Sequence, residues 1–208
     1  FFQAEDGIRE LVRSRGLGDV YKRQGKGYIK EKTSQRPSND AYYGDWYQVI
    51  NKTYEKELDM KVGILMGSTS DESKMQKAKE TLEEFGIESD WRVLSAHRNP
   101  EQVVELVSTA RENGYVAFIC GAGMAAHLAG VVAAHTTLPV VGVPMSGGAL
   151  NGQDALYATV QMPKGVPVAT VAIDGSQNAA LLVVQMLGIT DELLAQKLAD
   201  YKKEMANK

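Results

Sequence analysis

From Met60 onward, short apolar runs alternate with segments of helical period, and that alternation leaves few folds open to the chain. The stretches "KVGILMG" (61–67), "IESDWRVLS" (87–95), "YVAFICG" (115–121), "LPVVGVP" (138–144) and "VPVATVAI" (166–173) have the length and composition of buried strands. Between the first two lies "SDESKMQKAKETLEEFG", in which Met75, Ala78, Leu82 and Phe85 share a helical face and Gly86 is a stop. Residues 100–113 predict a second helix, with Val103, Val104 and Val107 inward and Gly114 as its stop. "MAAHLAGVVAAHTT", "NGQDALYATVQMP", "NAALLVVQMLG" and "DELLAQKLADYKKEMA" supply the remaining helices. Five apolar strands joined by helices predict an α/β fold whose parallel sheet is covered on both faces. Right-handed crossovers then bring every strand-to-helix turn to one edge, where open sheets bind ligands. The helices after the third strand and at 178–187 are apolar nearly all round, so each must bury more than one face. Another subunit is the cover expected, hence a homo-oligomer.

Upstream of Met60 no such pattern exists. Residues 1–24 resemble a translated sequencing adapter and are set apart from fold reasoning, as an expression tag would be. Residues 25–59 read as a linker or extension, since "GKGYIKEKTSQRPSND" has little to bury, with a short helix expected from about Trp46 to Leu58. Residues 60–208 are therefore expected to form the functional domain. A net charge of -3 and a pI near 5.7 give no basic face for nucleic acid. The single cysteine, Cys120, allows no internal disulfide and reads as a small buried hydrophobe. No apolar run is long enough to span a membrane, and charges from Glu5 onward break a signal-peptide layout, so the cytoplasm is the compartment expected.

Four turns at the predicted carboxyl edge carry chemistry. "GSTSD" (67–71) sets Ser68, Thr69 and Ser70 at a helix start, where free N–H groups and the dipole favour an anion. Ordinary capping explains it equally well, with Ser70 or Thr69 as N-cap and Asp71 or Glu72 complementing the dipole. "SAHRN" (95–99) pairs His97, a proton shuttle near neutral pH, with Arg98, a rigid fork of donors for phosphate or carboxylate. Asn99, Pro100 and Gln102 after them predict a capped helix start with a capping box. "GAGMAAH" (121–127) fits G-x-G-x-x-A, but the acid that a dinucleotide site needs about 20 residues on is missing. Its glycines read instead as room for close backbone approach. His127 could be a buried, hydrogen-bonded histidine, and His135 suits a helix end. The fourth turn is "PMSGGALNG" (144–152). There is no carboxylate partner for Asp71, no P-loop, no G-x-S-x-G elbow and no metal-ligand spacing. The kit points to acid–base chemistry on a small phosphate-bearing molecule, without a cofactor and without metal.

"MGSTSD", "SAHRNPE", "GAGMAAHLAG", "ALNGQDALYATVQMPKGVPVATVAI" and "NAALL", in that order, resemble the N5-carboxyaminoimidazole ribonucleotide mutases, the PurE family of purine biosynthesis. The resemblance runs from about Lys61 to the last helix. It implies a flavodoxin-like three-layer αβα sandwich with a five-stranded parallel sheet, assembled as a homo-octamer. It implies conversion of N5-carboxyaminoimidazole ribonucleotide to 4-carboxy-5-aminoimidazole ribonucleotide, with no cofactor. Carried onto this chain, His97 matches the catalytic histidine. Ser68, Ser70, Asp71 and Arg98 match substrate-binding positions, Asp71 for the ribose hydroxyls and Ser70 and Arg98 for the phosphate. Ser95, Ala122 and Gly123 are expected to line the pocket, and His127 to orient substrate or a water. Met124 departs from the glycine of many members. Two rival readings are a carboxylase that takes aminoimidazole ribonucleotide and carbon dioxide directly, and a non-catalytic module that binds a purine intermediate.

Overall fold

The computed structural model describes residues 60–207. The helix expected over 46–58, and everything else upstream of Met60, lies outside the described residues. The strands are β1 (Lys61–Met66), β2 (Glu88–Val93), β3 (Tyr115–Gly123), β4 (Val140–Met145) and β5 (Ala169–Thr170). The helices are α1 (Glu72–Phe85), α2 (Pro100–Ser108), α3 (Leu128–His135), α4 (Gln153–Val160), α5 (Ser176–Leu187) and α6 (Glu192–Ala206), with a 3-10 turn over Thr69–Asp71. All strands pair in parallel in the order β2-β1-β3-β4-β5, the doubly wound flavodoxin-like order.

The two faces of this sheet make two cores. Because side chains alternate along a strand, Val62, Ile64 and Met66 of β1 fall on one face and Leu65 on the other. The first core joins Ala117, Ile119, Val141 and Val143 to Met75, Leu82 and Phe85 of α1 and Ala180, Val183 and Val184 of α5. The second joins Phe118, Cys120 and Val140 to Val103 and Val107 of α2 and Leu128, Ala129 and Val132 of α3. The apolar girth of α5 is covered largely inside the chain, since Leu181, Leu182, Met186 and Leu187 also pack against the first core, beside Leu194 and Leu198 of α6. Cys120 is buried, and burial pushes its thiol well above the usual range.

The polar strand β2 forms one edge. Arg92 pairs there with Asp90 at 2.7 Å, and the Tyr115 hydroxyl donates to the same carboxylate. Charges on an edge strand discourage pairing with other chains. Burial and Asp90 together push the Tyr115 phenol up to about 12.

Several elements are shorter than the sequence predicts, three of them for reasons the chain shows. The strand expected over 166–173 is reduced to Ala169–Thr170, because Pro167 has no N–H to give a ladder and Asp174 turns the chain away. The helix expected over 100–113 stops at Ser108, where the Asn113 side chain takes the Thr109 carbonyl and hydroxyl. The helix expected from Met124 begins only at Leu128, for reasons that belong to the site. The capping box also fails. Asn99 is the N-cap residue and Pro100 opens the helix as expected, but Asn99 makes no side-chain cap bond, and its Oδ1 instead accepts from Ser95 N–H at 3.3 Å.

Gly142 of β4 lets α4 lie against the sheet. A Cβ on Gly142 would sit 2.3 Å from Thr159 Cγ2, in a helix position that is itself buried. Gly142→Ala should therefore lower stability by about 1–3 kcal/mol, read as a lower urea midpoint. Adding Thr159→Ser, which removes the clashing methyl, should recover part of the loss.

Candidate functional site

The strand order reverses between β1 and β3, and the crevice beyond their carboxyl ends holds a cavity of about 460 Å³. The residues that the family resemblance assigns to the site all line this one cavity. Ser68, Ser70 and Asp71 come from the turn after β1, Ser95, His97 and Arg98 from the turn after β2, and Ala122, Gly123 and His127 from β3 and its turn. Gly67, Ala96, Met124, Ala125 and Leu128 complete the wall. The "PMSGGALNG" turn lies at the same sheet edge but contributes nothing to the lining.

Backbone bonds continue past the strands and hold the turns together. Gly67 N–H donates to Gly121 O at 3.1 Å, and Leu94 N–H donates to Met66 O at 2.8 Å. In the first turn the cap is Ser68, not the Thr69 or Ser70 expected. Its Oγ accepts from Ser70 N–H at 3.2 Å and from the Ser70 hydroxyl at 2.9 Å. Capping and cavity lining are thus served by the same hydroxyls.

In the second turn Ser95 is the buried support. Its Oγ accepts from both His97 N–H and Arg98 N–H, each at 3.3 Å, so one hydroxyl sets the backbone of both cavity-lining residues. The Arg98 guanidinium donates to Gly67 O, which fixes its position across the mouth of the crevice and leaves other N–H groups for an anion.

The third turn starts at Met124, in the left-handed region at φ 52°. Ala126 N–H then donates to Met124 O at 2.9 Å and His127 N–H to Ala125 O at 2.8 Å, so the chain coils tightly before α3 can begin. This coil delivers His127 to His97. His97 Nε2 and His127 Nδ1 are 2.9 Å apart, with the rings edge to face at 80°. One of these nitrogens carries the shared hydrogen and the other accepts it. His127 is therefore exposed and paired at the cavity, not the buried core histidine that was one reading of the sequence. Among the described residues no histidine, cysteine and carboxylate side chains gather as a metal ion would need.

A family model described as AIR carboxylase matches residues 61–208. The chain belongs to the AIR carboxylase (PurE) family. It is 50% identical over 160 residues to the N5-carboxyaminoimidazole ribonucleotide mutase of Pyrococcus horikoshii, a match covering 77% of this chain and 89% of that protein. It is 51% identical over 147 residues to the mutase of Vibrio vulnificus, covering 70% and 91% respectively. The crystal structure of Treponema denticola PurE superposes with a TM-score of 0.65 at 30% identity, covering 71% of this chain and 92% of that one.

This PurE-family site rests on a polar tie that sequence reasoning missed. Lys74 Nζ donates to Ser146 O at 2.7 Å and to Ser146 Oγ at 2.5 Å, and lies 3.3 Å from the Asp174 carboxylate. Asp174 in turn accepts from Ser146 N–H at 2.8 Å and from Ser146 Oγ at 2.5 Å. The buried Ser176 hydroxyl donates to the Lys74 carbonyl at 2.6 Å, so Lys74 is held at both ends. Burial would raise the Asp174 carboxyl, but the two Ser146 bonds and Lys74 hold it below its ordinary value. The only sequence signal was the placement of Lys74 one turn after Asp71. Nothing local could name partners so far along the chain.

The same lysine acts on the cavity. Burial pushes the Asp71 carboxyl above its ordinary value, Lys74 opposes that rise, and Asp174 adds to it. Lys74→Met removes the main counterweight, so the Asp71 carboxyl should take up its proton at a higher pH in the variant. A carboxyl-carbon NMR titration of Asp71 reads this directly, and an unchanged midpoint would contradict it.

Proposed function

We propose that this chain converts N5-carboxyaminoimidazole ribonucleotide to 4-carboxy-5-aminoimidazole ribonucleotide, with His97 as the acid–base group. The observation that carries this reading is the His97–His127 contact at 2.9 Å inside the cavity, with Arg98 next in sequence. It is supported by half-identity to proteins named for that activity.

The chemistry needs few parts. The N–C bond of the carbamate breaks, its electron pair stays on nitrogen, and carbon dioxide is released into the cavity. Protonated His97 gives its proton to that nitrogen. The electron-rich ring carbon then attacks the carbon dioxide and forms the new C–C bond. His97, now neutral, takes the proton that this carbon must lose to restore the aromatic ring. Protons balance over the cycle, so one imidazole serves as acid and then as base. His127 holds the His97 ring through Nε2 and orients it toward the reacting atoms. Retaining carbon dioxide beside the ring is an effective-concentration gain, and the small side chains of Ala122, Gly123 and Ala125 leave space for it. Arg98 and Ser70 hold the phosphate, and Asp71 the ribose hydroxyls, with Ser68 and Ser95 shaping the turns that carry them.

The reaction draws on no metal or organic cofactor, and residues 60–208 carry the activity. We place the enzyme in the cytoplasm, in purine biosynthesis, as a homo-octamer. Exposed Leu150, Tyr157 and Val160 on and before α4 support a subunit contact there. Among the described residues no helix is long and apolar enough to cross a membrane.

The test is to supply freshly made N5-carboxyaminoimidazole ribonucleotide to the full chain, without ATP or added metal, and to follow the carbon-carboxylated product. Conversion at low bicarbonate is expected. Conversion only of aminoimidazole ribonucleotide with bicarbonate would favour a carboxylase, in line with the family's description. His97→Asn should cut kcat by about 10²–10⁴-fold with the fold retained. Arg98→Ala should mainly raise KM, and an unchanged KM would remove it from phosphate binding.

A further inference from the structure

Among the described residues, Met124 alone combines three properties. It is a non-glycine residue in the left-handed region, at φ 52°. It is a large apolar side chain left 61% exposed. It is part of the cavity wall.

Neither backbone nor core explains this methionine. The coil that delivers His127 requires left-handed backbone at position 124, and glycine adopts it freely whereas a side chain with Cβ is disfavoured. The other left-handed non-glycine residues, Asn151 and Asp174, are of the types that tolerate the conformation best, and methionine is not. Burial does not offset the strain, because most of the side chain is in the open. Strain that persists without local compensation is characteristic of functional sites.

The neighbouring loop makes room for the side chain. A Cβ on Gly148 would lie 3.3 Å from Met124 Cγ and 3.5 Å from its Sδ, tighter than ordinary contact at the first. Gly148 is itself left-handed, at φ 63°. Ser146, two residues earlier, is pinned by Lys74 and Asp174, so the loop that accommodates the methionine is held in place. The strained residue and its bare neighbour sit on different crossovers, and of the two Met124 lines the cavity while Gly148 leaves space beside it.

We propose that Met124 is a specificity-determining residue whose thioether covers the aromatic ring of the bound substrate and closes the cavity against escape of carbon dioxide. An unbranched thioether adapts to a flat ring and makes favourable sulfur–aromatic contact. This rests on the mutase reading above, since it takes the ring and the free carbon dioxide from that chemistry.

Stability and binding should move in opposite directions. Met124→Gly relieves the strain and should raise the thermal midpoint of the full chain. The same variant should raise KM by about three- to tenfold and incorporate more carbon label from ¹³C-bicarbonate into product than wild type does. Met124→Leu, which keeps the bulk, should restore KM to within about threefold of wild type. Unchanged KM and labelling in Met124→Gly would overturn the proposal. So would a lower thermal midpoint accompanied by weaker binding, which would make the side chain a structural prop. If wild type binds 4-carboxy-5-aminoimidazole ribonucleotide but does not interconvert it, the mutase reading fails by itself. Met124 is then judged on the Kd of that ligand: several-fold weakening in Met124→Gly supports a covering role, and no change removes it. Absence of any wild-type binding overturns both.

Discussion

Burying a parallel sheet on both faces forces each strand to be followed by a helical crossover, and crossovers of one hand place every strand-to-helix turn at the same edge. Here that edge is divided where the chain winds outward in both directions from β1 and β3. The crevice between the diverging halves is therefore a consequence of topology before any functional residue is chosen. The side chains then need only be polar and correctly capped to share one cavity. The adjacent turns after β1, β2 and β3 do this, whereas the turns after β4 and β5 stand behind them as support.

The architecture was legible because the apolar runs are long and the helical faces regular. Met75, Ala78, Leu82 and Phe85 point into the first core as their spacing requires. The cavity-lining residues were legible because most sit in turns bounded by a strand on one side and a cap or glycine on the other, with Ala122 and Gly123 at the end of β3. What sequence could not show is how side chains resolve competing local bonds. Asn99 had a cap position available, but its carboxamide found Ser95 N–H instead. Ser68 took the capping role that two neighbours could have filled. Pro167 shortened β5 although the residues around it are good strand formers. The Lys74–Ser146–Asp174 tie was out of reach for a different reason. Its members are separated by most of the domain, and nothing in a local window singles out one lysine of a polar helix face.

That tie shows how charge is distributed around the cavity. The carboxylate that lines it, Asp71, is raised by burial, whereas the carboxylate behind it, Asp174, is lowered by Ser146 and Lys74 after its own burial cost. One lysine serves both, bonded to the rear group and acting through space on the front one. The arrangement keeps a cation near the cavity without giving it a face on the cavity wall. Arg98 therefore remains the cationic side chain in the lining, and its anchor on Gly67 O fixes where its other N–H groups sit.

The imidazole pair has a consequence for how the protein comes into being. His97 and His127 are 30 residues apart, on turns that belong to different strands, and the strand lying between theirs in the sheet is β1, from the start of the domain. Their 2.9 Å contact requires pairings that are non-local and among the slowest to form. A chain with helices in place and sheet incomplete would hold both histidines and all the loop residues, yet have no site. Recovery of turnover after dilution from denaturant would thus lag helix formation and wait on closure of the central sheet, making the chemistry a reporter of long-range pairing.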